Sequence, residues 1–144
     1  MNVLRKCLPV VLLVVLIGGC HTESIPPQLT GDWLWESSSG GIGGMIIKPQ
    51  PSQRVILTFS GDGQFSVRQN DTLAHMGTYR VTKAQSIYSG KEELKIETKE
   101  IKTGYQLNIR PIVVTGGVVI ALSANRLSIG DNIYDGFGSS FVRQ

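Results

Sequence analysis

From Gly31 to the C-terminus the sequence alternates. In RVILTFS, Val55, Leu57 and Phe59 fall at every second position, and in QFSVRQ so do Phe65 and Val67. A period of two places such side chains on one face of a β-strand. Asp62-Gly63 between the two runs is a hairpin signal, because both residue types accept the left-handed backbone that tight hairpin turns use. LAHMGTYRVT then sets Leu73, His75, Gly77, Tyr79 and Val81 on one face, ELKIET does so for Leu94 and Ile96, and YQLNI for Tyr105, Leu107 and Ile109. GGVVIALSANRLSIGD reads as two short strands around a turn at Ala124-Asn125, and SSFVR ends the chain with Phe141 and Arg143 on one face. Eight or nine strands follow closely on one another, with no amphipathic helical stretch of ten residues. Such a chain is all-β and antiparallel. It must manage its strand edges, and closing into an up-and-down barrel of eight (eight to nine) strands removes them. A β-sandwich gives the same alternation and is the alternative. Residues 99–117 fit either one strand with loops or a protruding hairpin.

The first residues obey different rules. MNVLRK carries Arg5 and Lys6, and an apolar run follows from Leu8 to Ile17. That run is shorter than the roughly 20 residues a membrane-spanning helix needs. A charged start, a short apolar run and small residues before a break describe a secretory signal. The break, Ile17-Gly18-Gly19-Cys20, resembles the lipobox of bacterial lipoproteins. The resemblance implies a signal peptide over 1–19, removed before Cys20, with acyl chains such as palmitate on Cys20. Two or more chains anchor stably where one does not, at about 0.8 kcal/mol per buried methylene. Cysteine usage agrees: Cys7 lies in the leader, which leaves Cys20 without a disulfide partner. His21 rather than aspartate follows it, which for lipoproteins of this kind implies the outer membrane of a Gram-negative cell. Residues 20–30, polar and carrying Pro26-Pro27, read as the lipidated cysteine and a tether, and 31–144 as the domain.

Loss of the leader takes two positive charges and leaves 12 basic against 11 acidic side chains. With no basic stripe, nothing calls for nucleic acid.

Four features stand in order along the domain: Gly31-Asp32-Trp33, Phe59-Ser60-Gly61-Asp62-Gly63-Gln64-Phe65, Gly77-Thr78-Tyr79 and, near the end, Arg143. On these the domain resembles the lipocalin-like (calycin) barrels, in particular small lipoproteins of Bacteroidota. The resemblance covers about 31–144. It implies a barrel whose first-strand tryptophan, Trp33, is covered at one end by Arg143. The chain departs from true lipocalins in lacking their helix and their Thr-Asp-Tyr motif. The residues support the pair independently: Trp33 and Trp35 share a strand face, and a guanidinium over an indole contributes roughly 0.5–2 kcal/mol.

The chemistry-bearing motifs are few. The glycines of ESSSGGIGG lack the Gly-Lys-Ser/Thr and following helix of a phosphate loop, so this stretch reads as a bent loop after a first strand GDWLW. His21 and His75 are not paired, and Asp131, Asn132 and Asp135 lack calcium-loop spacing, so no metal or other cofactor is expected. No nucleophile elbow occurs, and the acids of KEELKIETKE, Glu92, Glu93, Glu97 and Glu100, lie among lysines as on a solvated strand. His75 and Tyr79, with Trp35, are the polar-tipped side chains that would contact a ligand if the inward face surrounds a cavity. Asp71-Thr72-Leu73 resembles the site at which Bacteroidota O-glycosylate exported proteins, and makes Thr72 the acceptor. Two functions stand on this reading. One is a membrane-anchored, non-catalytic lipocalin-like lipoprotein that binds a small hydrophobic ligand or an envelope protein partner. The other is a filled barrel that serves as an accessory subunit of an envelope complex.

Overall fold

A computed structural model describes residues 23–103 and 113–144, with the backbone alone for 100–103. The leader, Cys20, His21 and the Tyr105-Leu107-Ile109 alternation lie outside the described residues. Those described form nine strands and no helix: β1 Gly31–Gly40, β2 Met45–Ile47, β3 Val55–Phe59, β4 Gln64–Gln69, β5 Thr72–Gln85, β6 Glu92–Thr103, β7 Gly117–Leu122, β8 Arg126–Gly130 and β9 Phe137–Arg143. Each of β3 to β8 pairs antiparallel with the next, and β9 returns to β1, which pairs with β3. The result is a closed eight-stranded up-and-down barrel, consistent with a calycin-like fold, and not a sandwich. Strand β2 is extra, and pairs only with the upper part of β1 through Ser38–Ile47, Ser39–Ile46 and Gly40–Met45.

The alternating residues point inward as their period requires. Trp33, Trp35, Leu57, Phe59, Val67, Val81, Ile96, Leu127, Ile129 and Phe141 are all at most 1% exposed. At roughly 25 cal/mol per Å² of apolar surface, this core is the main favourable term in folding.

Two bulges alter the expected faces. The first lies in β1, where pairing with β9 slips between Trp35 and Ser37. Strand β1 therefore continues through Glu36–Gly40, where the sequence suggested a loop, and the bend is confined to Gly41–Gly44. The slip turns Ser38 inward, so that it is buried with Trp35. Gly40 closes this part. Its φ is +153°, and a Cβ there would stand 2.1 Å from the Gly136 carbonyl oxygen. The second bulge is in β5 opposite Val67 and Arg68, which pair with His75 and Leu73. Ala74 is the inserted residue and is buried, while Leu73 is half-buried. The face of β5 is thus continuous from Gly77 to Val81 but not back to Leu73. An inserted residue shifts the parity of everything before it.

Residues 23–30, which read as a tether, cross one end of the barrel. Glu23 forms an antiparallel bridge with Val81 of β5, its N–H donating to the Val81 carbonyl at 2.9 Å. Ile25 packs against the core and Leu29 is 1% exposed. The segment is a strap, and it uses its few apolar residues to cover the core beside Trp33. Beyond Val81, at the far end of β5, the β5–β6 turn meets the loop between β8 and β9. The Ile87 N–H donates to Asn132 Oδ1 at 2.9 Å, and Asn132 Nδ2 donates to the Gln85 carbonyl at 2.8 Å.

Candidate functional site

Three groups of residues bear on function: the strapped end, the interior around Trp35, and the outer face of β5 and β6.

At the strapped end the guanidinium carbon of Arg143 lies 4.2 Å from the Trp33 ring centroid. The same guanidinium donates to three backbone carbonyls: Ala124 through Nε at 2.6 Å, Thr30 through Nη1 at 2.8 Å, and Gln28 through Nη2. Trp33 is fully buried, and its Nε1 donates to the Leu29 carbonyl at 2.8 Å. Every side-chain nitrogen of the pair therefore holds either the strap or the β7–β8 turn. Gly31 makes room: its φ is +122°, and a Cβ there would stand 2.6 Å from Arg143 Nη1. A physical reason for glycine two residues before the tryptophan is thus on hand.

The interior residues seen as ligand contacts have other partners. Trp35 Nε1 donates to Ser38 Oγ at 2.9 Å, and Ser38 Oγ shares a hydrogen bond of 2.6 Å with Ser139 Oγ. The Val114 N–H donates to Ser139 Oγ at 2.9 Å. This buried chain runs from β1 through β9 to the segment before β7. Such groups are tolerated in a core because each is hydrogen-bonded. Neither serine was legible as a candidate, although Ser139 shares parity with Phe141 and Arg143 and could have been found that way. Ser38 could not, because the bulge at Glu36 sets its face.

Tyr79 is 6% exposed and stacks edge-on against Phe59, with ring centroids 4.7 Å apart at 61°. Its hydroxyl donates to the Ser60 carbonyl at 2.8 Å, at the β3–β4 turn. Burial, helped by the nearby charge of Asp62, pushes the Tyr79 hydroxyl up to about 12. Asp62 itself is held below the usual carboxylate range, first by the Ser60 hydroxyl and then by the Gln64 N–H. His75 is half-buried near the start of β5, paired in register with Val67 and Thr103. His75, Tyr79 and Trp35 therefore sit at separate places: the β4–β5 bulge, the β3–β4 turn and the serine chain.

The walls decide whether the interior is a site. A cavity able to hold a small ligand leaves its lining accessible to water. The largest inward side chains, among them both tryptophans, Phe59 and Phe141, are less than 2% exposed. Eight-stranded barrels have an interior just wide enough for side chains to fill, and among the described residues these large side chains leave almost no water-accessible surface around them.

The outer face of β5 and β6 carries a shallow groove lined by Glu23, Arg80, Lys83, Glu92 and Glu97. These charges neutralise one another. Lys83 Nζ lies 3.4 Å from Glu23 and 3.7 Å from Glu92, while Arg80 and Lys95 reach Glu97 at 2.6 and 3.1 Å. Hydrogen bonds from Arg80 and Lys95 hold the Glu97 carboxyl below its ordinary range. Surface pairs of this kind contribute 0 to about 1 kcal/mol each. Among the described residues, no group of three His, Cys, Asp or Glu side chains is placed to hold a metal ion.

Thr72 is exposed and opens β5 directly after Asn70 and Asp71, whose φ values of 48° and 65° mark a tight left-handed hairpin turn. No family model, curated protein or solved structure matches this chain.

Proposed function

We propose that this chain is an acylated, non-catalytic barrel of the bacterial envelope, similar to the lipocalin-like lipoproteins, that acts as a structural or accessory subunit through its outer surface. The observation that carries this reading is the burial of the largest inward side chains among the described residues, which are aromatic and branched. Trp35 and Tyr79 also donate their polar atoms to neighbours within the fold. A lipocalin-type ligand would have to displace these side chains and break the serine chain, at a cost that its own burial would have to exceed.

The lipobox supports the anchor at Cys20, and His21 supports the outer membrane. The exposure of Thr72 beside a turn fits a glycan acceptor. The groove on β5 and β6 supports no acid–base pair, because its carboxylates are each committed to a lysine or arginine.

The test uses the full chain purified from its host in detergent. Titration with a fluorescent fatty acid is expected to give no saturable signal, and native mass spectrometry is expected to retain protein partners rather than a small molecule. Stoichiometric binding of the fatty acid, displaced by a lipid extract, would overturn the filled-barrel reading. Cys20→Ser is expected to move the protein from the membrane to the soluble fraction; continued anchoring would refute acylation.

A further inference from the structure

Among the described residues, the large apolar side chains left exposed are gathered on one flank. Ile42 and Ile46, 94% and 70% exposed, lie on the β1–β2 arm, and Ile133 and Tyr134, 63% and 86% exposed, lie on the β8–β9 loop. These two segments are joined by the Gly41 N–H, which donates to the Gly136 carbonyl at 3.3 Å. The β5–β6 turn adds Tyr88, about half exposed, whose hydroxyl donates to the Asp131 carbonyl. Ile120 of β7 completes the flank: its side chain and that of Tyr88 both lie over Gly130. A contiguous exposed apolar surface of this kind marks a binding face.

Two observations identify what covers it. The first is charge. Segments 41–48, 86–91 and 131–136 carry Lys48 and Lys91 against Asp131 and Asp135, and so have no net charge. Isoleucines and exposed tyrosines with balanced charge suit a zwitterionic bilayer surface, where tyrosine keeps its hydroxyl wet and its ring apolar. The second is the length of chain leading to Cys20. The strap fixes Glu23 on Val81, and three further residues reach at most about 11 Å. Val81 stands four strand residues, about 13 Å, from Gln85, whose carbonyl is hydrogen-bonded to Asn132 in the apolar flank. The acyl group and the flank are thus within reach of one surface.

We infer that the flank formed by the β1–β2 arm, the β8–β9 loop and the β5–β6 turn lies against the same bilayer that holds the acyl chains of Cys20. The barrel rests on its side on the membrane, and the strap sets its orientation. This rests on the acylated-anchor reading above. The face turned away, which includes the β3–β4 turn and Thr72, is the one offered to the envelope.

The full acylated chain in phosphatidylcholine vesicles tests this. An environment-sensitive fluorophore is attached to Ile42→Cys, Tyr134→Cys or, on the far side, Gly61→Cys. At 42 and 134 the emission is expected to shift to the blue and to be quenched several-fold by nitroxide lipids, with no change at 61. The high exposure of Ile42 and Tyr134 leaves the unfolding midpoint unchanged, and Ile133→Cys serves if either variant is unstable. Equal aqueous signals at all three sites, in protein that floats with the vesicles, overturn the docking and leave the anchor standing. Wild-type protein that stays with the soluble fraction, as Cys20→Ser does, overturns both. Shielding of 42 and 134 in native envelopes but not in pure lipid overturns the bilayer in favour of a protein partner.

Discussion

The strapped end and the arm end of β1 solve opposite problems with similar material. At the strapped end a glycine, Gly31, lets Arg143 approach closely enough to stack on Trp33 and reach three carbonyls. At the arm end Gly40 lets two backbones approach, and what it supports is a hairpin with Ile42 in water. One end spends its special residues on closing a core. The other spends them on projecting an apolar surface. Stability therefore concentrates at the strapped end and interaction at the arm, in keeping with the low local stability of binding segments.

The sharpest way to break this comparison is Arg143→Ala. It removes the cation–π contact and three charge-assisted hydrogen bonds, and leaves the strap held by Leu29 and the Glu23 bridge. A loss of about 2–4 kcal/mol is expected in denaturant unfolding. Arg143→Lys is expected to recover only part of it, because an ammonium cannot hold three carbonyls in the fork geometry. A loss below about 0.5 kcal/mol would show that the strap is an ornament and that the two ends differ less than their contacts do.

That this pair was legible in the sequence, while the strap and the serine chain were not, has a physical reason. Trp33 and Arg143 sit at the two ends of a domain whose strands keep period two near those ends, so parity sets Trp33 on a face with Trp35 and Arg143 on a face with Phe141, and the resemblance to lipocalin-like barrels implies that the two meet. The strap has no period. HTESIPPQLT is polar and proline-containing, and its Leu29 is buried only because a barrel end happens to lie below it. The faces of Ser38 and Ala74 depend on bulges, and a bulge is set by the partner strand rather than by local residues. The closed barrel was legible because edges must be removed. The filled interior was legible only as a count of large residues, whose fit depends on how the wall bends around them.

A smaller effect sharpens the comparison from the arm side. Ser139→Ala removes the hydrogen bonds that tie β9 to Ser38 of β1 and to the Val114 N–H. All of these atoms are buried, so a cost of about 1–3 kcal/mol is expected. Hydrogen exchange locates it: amides of Val113–Thr115 and of the arm are expected to exchange faster, while those beside Trp33 and Leu29 keep their protection. Uniform loss across both ends would mean that the barrel opens as one unit and that the two ends are not separate in stability.

The mildest test uses alkali. Each region holds a tyrosine with a raised pKa: Tyr79 at the β3–β4 turn, through burial and then Asp62, and Tyr88 on the apolar flank, through burial and then Asp131. Burial and a neighbouring negative charge both favour the neutral phenol, so the folded state holds the proton more tightly than the unfolded chain. The stability from Tyr79 is then fully present below its ordinary value of 10.0 and is lost as pH rises through about 12. Comparison with Tyr79→Phe cancels what the rest of the chain contributes over that range. The difference in unfolding free energy between wild type and Tyr79→Phe is expected to shrink steadily from pH 10 to 12, the window set by that shift. Tyr88, about half exposed, sits where water can reach the phenolate, so Tyr88→Phe is expected to change this slope less. An equal alkaline loss in the two variants would mean that the flank is as closed as the strapped end, and would count against its lying open for a membrane.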